Sequence, residues 1–284
     1  MKDQILHKGQ KVLGKLIRNK LAFLGAFVIF VLSFLSVFAP MIAPFNPEDQ
    51  NIEERLLAPN SKHICGTDEL GRDVFSRMVF GARVSLAVGF IAVIISAIIG
   101  ILIGSAAGYY GGWLDTVLMR FVDIMLSIPT LFLILMLTVY LGPNIINVMI
   151  IIGLTGWMDL ARLVRAEFLT LKKREYVLAA RVSGASNGRI IFKHILPNAL
   201  SPVFVSVIFG VGGAILLESG LSFLGLGVQP PDASWGNILT SGKDYIERAW
   251  WLTVYPGLAI FITVMSYNIL GEGLRDALDP RLVE

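Results

Sequence analysis

The sequence predicts an all-α, polytopic membrane protein of six transmembrane helices, and three observations predict it. The first is composition: the 284 residues are 55% hydrophobic and 16% charged, with a mean hydropathy of +0.71. Ordinary soluble domains carry about 25% charged residues, so this chain lacks the polar surface that a water-facing globule needs. The second is the set of long uncharged runs, 21–47, 84–114, 124–158, 198–217 and 249–271, since about 20 mostly apolar residues make a spanning helix. The third is segregation of Lys and Arg, 17 on one side of the implied topology and 7 on the other, which puts both termini in the cytoplasm. Composition excludes disorder, collagen and most soluble enzymes. The single cysteine, Cys65, excludes an internal disulfide and a thiolate metal cluster.

Each element follows in order. Residues 1–20 carry six of the bases, and 11–18 read either as a basic amphipathic helix on the anionic inner leaflet or as a plain positive-inside flank. The first span, 21–43, is longer than a signal-peptide core of about 7–15 residues, and Pro40 follows the would-be cleavage site at Ala39, so it is expected to be a retained anchor. Residues 44–83 form an outer loop with seven acids and five bases. The second span, 84–108, carries Gly100, Gly104 and Gly108 at four-residue spacing, a stripe that lets another helix approach closely. The third run is too long for one crossing, because 35 residues of helix extend about 52 Å against a hydrocarbon core of about 30 Å. Gly142-Pro143-Asn144 divides it into spans 119–141 and 145–164. The fifth span is 201–226 and the sixth 251–271, which completes a five-helix core over 84–271 and leaves 272–284 as a cytoplasmic tail. Trp235, Trp250 and Trp251 are read as an interfacial belt.

Catalytic machinery is missing. His7, His63 and His194 lie outside the spans, and neither H-E-x-x-H nor G-x-S-x-G occurs. The nearest approach to a phosphate loop, residues 236–244, has one residue too many between its glycines and no Ser or Thr after Lys243. Two potential ligands, His63 and Cys65, do not complete a metal shell. No catalytic residue, metal or nucleic-acid partner is therefore expected, and any ATP hydrolysis must belong to another chain. Within the spans, Arg120 is three residues before Asp123 and Arg162 three after Asp159, so each pair is expected to close on its own helix.

The loop 165–198 carries the most information. Ser183-Gly184-Ala185-Ser186-Asn187-Gly188 breaks it into two helical pieces; Ala179 and Ala180 allow close approach, Gly184 allows a sharp turn, and Pro197 is expected to end the second piece. Glu175, Ala179-Ala180, Gly184 and Leu196-Pro197 resemble the EAA loop of ABC-importer permeases, with His194 at the position usually held by isoleucine. That histidine, the stretches 63–77, 81–86 and 218–227, and the tail 274–281 resemble the C-type permease of the dipeptide/oligopeptide/nickel family.

The resemblance implies an ABC type I importer permease fold in a bacterial or archaeal cytoplasmic membrane. It implies pairing with a second homologous permease, two ABC ATPase subunits that carry ATP and magnesium, and an extracytoplasmic substrate-binding protein that the outer loops could also dock. It further implies that residues Glu175 to Gly184, with His194, Leu196 and Pro197, form the coupling helix and its flank. Cargo is expected to be di- or oligopeptide, with nickel or a metal chelate and oligosaccharide as alternatives. An intramembrane charge costs about 2.5–3.5 kcal/mol on insertion scales, so Glu218, with Ser219 and Ser222, is expected to face the pathway between the two permeases. The competing classes are an intramembrane enzyme, which lacks catalytic pairs, and a signalling scaffold whose basic loop binds lipid or a regulator.

Overall fold

In the computed structural model, residues 14–278 are described. Residues 11–13 of the expected surface helix and 279–281 of the tail motif lie outside them; residues 14–18 are helical. Among the described residues the regular structure is helical, apart from one isolated antiparallel bridge between Thr67 and Asp73.

The first span is α1, Lys20–Val37, entered through Asn19, whose Oδ1 accepts the Ala22 N–H at 3.2 Å. A short α2, Ala39–Ile42, follows it. α1 leaves Leu21, Phe23, Leu24, Phe27, Phe30 and Phe34 exposed, a surface suited to lipid and not to water.

The second span sits inside a longer helix, α3, Val74–Tyr110. Asp73 Oδ2 caps its start, accepting both the N–H and the hydroxyl of Ser76 at 2.7 Å. Arg77 and Arg83 do not stop it, since a charged side chain outside the bilayer is no barrier to helix. At about 1.5 Å per residue α3 is about 55 Å long, so it stands well clear of the hydrocarbon at one end. Gly111, at φ +69°, turns the chain at the other end.

The third span is broken. α4, Gly112–Ser127, and α5, Thr130–Leu141, meet at 84°. Proline at 129 has no N–H and pushes Ile128 into an extended conformation (φ −92°, ψ 123°). The fourth crossing is α6, Ile145–Thr155, then α7, Trp157–Leu171, with Gly156 between them. Beyond Leu171 come α8, Glu175–Val182, and the helical turn α9, Asn187–Arg189. A π-helical turn, Ile190–Ile195, leads into α10, Leu196–Phe223. α11, Trp235–Gly242, and α12, Trp251–Leu278, are the last helices of the described residues. Among the described residues five stretches are long and apolar enough to cross a membrane, or six when the bent pair is counted as one span.

Between spans lipid offers no hydrophobic driving force, so close packing must hold them. The glycine stripe does this. A Cβ added at Gly100 would come within 2.9 Å of Leu160, and one at Gly108 within 2.6 Å of Phe168 Cβ, so α7 lies directly on α3. The central core is built from Leu86, Val88, Ile134, Val148, Ile151 and Ile215.

The outer-loop residues form a second layer at the α3 start. Trp251 donates from Nε1 to the Thr67 carbonyl at 3.0 Å, and Trp235 to the Met78 carbonyl at 3.0 Å. Both indoles are buried. The expected tryptophan belt is therefore reduced to Trp250, because the other two rings fill the seam between the loops and α3. His63 is buried as well, with Nδ1 2.9 Å from Asp73 Oδ1. Cys65 is half-buried, which together with the nearby Asp73 carboxylate pushes its thiol pKa up. Among the described residues no group of three or more His, Cys, Asp or Glu could hold a metal ion.

Candidate functional site

Three features concentrate the chemistry of the chain, and the first is the elbow at the end opposite the outer-loop layer. Lys172 Nζ donates to the Gly108 carbonyl at 2.8 Å, pinning the end of α7 to the end of α3. α8 then projects as a separate piece. Glu175 lies in its first turn and Arg181 in its last, both favourable to the helix dipole. The Gly184 N–H donates to the Arg181 carbonyl and the Ala185 N–H to the Ala180 carbonyl, each at 3.0 Å. This is a Schellman ending, and it places Gly184 at φ +78°, where a side chain is strained.

Only Val177 is buried on α8, against a cluster that includes Phe168, Ile190 and Ile195. Tyr176, Leu178 and Val182 remain exposed, Val182 by 89%. Glu175 and Ala179 are exposed, and Ala180 is half-buried. The second limb is held by Tyr109, whose hydroxyl donates to Asn187 Oδ1 at 2.7 Å. His194 and Leu196 are half-buried and Pro197 is exposed. Pro197 does not end the second piece. It occupies the second position of α10, directly after the π-helical turn, and the helix continues through it.

The second feature is Glu218. Its side chain is fully buried, ringed by hydroxyls: Ser222 and Ser234 donate to Oε1 at 2.7 and 2.8 Å, and Ser85 to Oε2 at 3.4 Å. Ser234 is also the N-cap of α11, and the Trp235 N–H donates to Ser85 Oγ at 3.3 Å. Ser219 donates to the Ile215 carbonyl on its own helix. Glu218, Ser219 and Ser222, the expected pathway residues, are all buried in this chain, where the carboxylate ties α10, α3 and α11 together. Sequence reasoning missed Ser85 and Ser234 because both partners come from distant segments.

The third feature is a cleft of about 440 Å³ where α3, the start of α5, the α6–α7 break and α10 face one another. Ser96, Thr130, Gly156, Asp159, Gly210 and Gly213 are among its lining residues. The expected same-helix pairs do not form. Arg162 reaches across to Asp123 at 2.5 Å, and Arg165 holds Asp115 with bonds of 2.5 and 2.7 Å. α4 lies along α7, so its acids meet those bases before a same-helix neighbour can.

Residues 100–284 match the family described as the binding-protein-dependent transport system inner membrane component, and residues 9–59 match the N-terminal TM domain of oligopeptide transport permease C. The chain belongs to this permease family. It is 42% identical, over 93% of its length and 87% of the relative's, to the dipeptide transport system permease protein DppC of Alkalihalophilus pseudofirmus. It is 44% identical to the di/tripeptide transport system permease protein DppC of Pseudomonas aeruginosa, over 93% of this chain and 89% of that one. Among solved structures, a chain of the inward-facing MetNI methionine ABC transporter aligns with a TM-score of 0.57 at 19% identity, covering 71% of this chain and 96% of that one. That likeness shows the fold, an ABC type I importer permease fold. For this family member the C-type resemblance read from the motifs holds, and the chain is a multi-pass inner membrane protein.

Proposed function

We propose that this permease is the C-type membrane subunit of an ABC importer that takes up di- or oligopeptides. In this reading it pairs with a second permease, receives cargo from an extracytoplasmic binding protein, and is driven by two ATPase subunits that carry the ATP and magnesium. The relatives described above are permeases of dipeptide and di/tripeptide systems, which favours peptide over nickel or oligosaccharide. Both termini and the elbow are assigned to the cytoplasm by the distribution of Lys and Arg.

The observation that carries the mechanism is the elbow. α8 is anchored through Val177 and ends in the Gly184 turn, while Tyr176, Leu178 and Val182 stay exposed on a helix outside the spans. A short helix of this kind suits docking in a groove of a soluble motor. Closure of the motor pair then moves α8, and α8 moves α7 and α10, to which it is joined at either end. Nucleotide drives the change because it binds the closed motor better, and a ligand shifts an equilibrium only by such a difference in affinity. The cleft at the broken spans lies between the moving helices and is the part of this chain best suited to line the pathway.

Gly184→Asp tests the elbow. In the complete importer reconstituted in vesicles, this variant is expected to insert, assemble and hydrolyse ATP while uptake is lost. Uptake at the wild-type rate would contradict the assignment of Glu175, Ala179, Ala180 and Gly184 to coupling.

A further inference from the structure

Asp159 is left over by every pairing described above. It is exposed, and among the described residues it makes no ion pair and no side-chain hydrogen bond. The base within reach along its own helix, Arg162, is committed to Asp123 on α4. Asp159 instead lines the cleft, and it is the only charged side chain among the lining residues.

Its depth makes this costly. Asp159 adjoins Leu160, which packs on Gly100, and shares the cleft with Ser96. Both Ser96 and Gly100 lie near the middle of the uncharged run 84–114. A carboxylate at that depth is expensive to insert, and such groups characteristically mark ion or substrate paths. The local backbone suits a negative charge, because Asp159 sits in the first turn of α7, just after the Gly156 break. Discontinuous helices facing a cavity near the bilayer midplane are a recurring way to build a transport site. The remainder of the lining is small or neutral, including Thr130, Ser206, Gly210 and Gly213, and an added Cβ at Gly213 would meet nothing within 4 Å.

We infer that Asp159 is a cation-receiving station in the translocation cleft, and that the group it receives is the α-ammonium of a passing peptide. This rests on the peptide-importer reading and deepens it by naming the end of the cargo that the permease itself recognises. A free peptide carries one ammonium at its N-terminus whatever its side chains. A single carboxylate in an otherwise neutral, roomy cleft thus recognises the backbone and stays indifferent to sequence. The cleft of about 440 Å³ lies within the usual range of about 300–1,000 Å³ for small-ligand sites.

The test uses the complete importer in vesicles with its binding protein. Two dipeptides with the same side chains are supplied, one with a free amino group and one N-acetylated, each at a concentration saturating the binding protein. Asp159→Asn is expected to lower maximal uptake of the free-amino peptide by about fivefold or more, the effect of one lost interaction of about 1 kcal/mol. The KM for that peptide and the uptake of the acetylated peptide should be unchanged, and Asp159→Glu should recover most of the rate. Equal loss for both peptides, with the second permease falling out of the purified complex, would show that Asp159 pairs with a partner's base and would overturn the inference. No loss for either peptide, or a glutamate variant no better than asparagine, would overturn it too. Failure of the wild-type importer to take up either peptide while hydrolysing ATP would count against the peptide reading itself.

Discussion

Glu218 and Gly184 show how differently single residues work in this fold. Glu218 is a buried acceptor whose loss would strand the hydroxyls of Ser222 and Ser234, and each unsatisfied buried group costs about 1–3 kcal/mol. Glu218→Ala is therefore expected to lower the thermal unfolding midpoint of the purified complex by several degrees. Glu218→Gln, which keeps one acceptor oxygen, should lower it less; equal midpoints for Ala and wild type would remove the hub role. Gly184 acts through backbone alone. A left-handed conformation costs an ordinary L-residue roughly 1–2 kcal/mol, and Asn bears it better than a β-branched residue. Uptake by Gly184→Asn is expected to exceed that of Gly184→Val, and the reverse order would mean that side-chain bulk, not the turn, matters there.

Among the elements, the contrast between two glycine faces is sharpest. A Cβ at Gly104 would come within 2.7 Å of Val164 Cβ on α7, whereas one at Gly213 on α10 would meet open space. Gly104→Leu should reduce the yield of folded permease, because α7 cannot retreat without losing its packing on α3. Gly213→Leu should fold normally and slow uptake by filling the cleft. Comparable yields of the two variants would contradict the close α3–α7 seam. The stripe itself was legible in the sequence, as were the six crossings, because a bilayer demands long apolar segments and close helix contact demands small residues. Breaks set by local turn chemistry were partly legible: Gly142 and Gly184 were, while the bend at Pro129 lay hidden within an apolar run. Pairings between elements were not. The spacing of Asp159 and Arg162 suggested one helix turn, but α4 brings Asp123 to Arg162 across helices. Ser85 reaches Glu218 from 133 residues away, and no local pattern announces that.

At the scale of the whole molecule, the chain joins an elbow at one end to an outer-loop layer at the other through helices broken near the middle. Glu218 closes the packing of α3, α10 and α11, while the cleft lies beside the breaks. The buried Trp235 and Trp251 fix the outer loops to α3, so that end is built to move as one with the bundle. Family membership and helical architecture agree on a permease; its proposed work as an importer depends on force entering at α8. Val182, exposed at the last position of α8, is the place to catch that contact. With Cys65, the only native cysteine, replaced by serine, Val182→Cys in the complete importer should cross-link to an ATPase subunit. The link should stop uptake, and reduction should restore it. An introduced thiol that is never trapped against a nucleotide-binding chain, or that reacts only with an impermeant reagent supplied outside the cell, would contradict the assignment of α8 as the point where the motor takes hold.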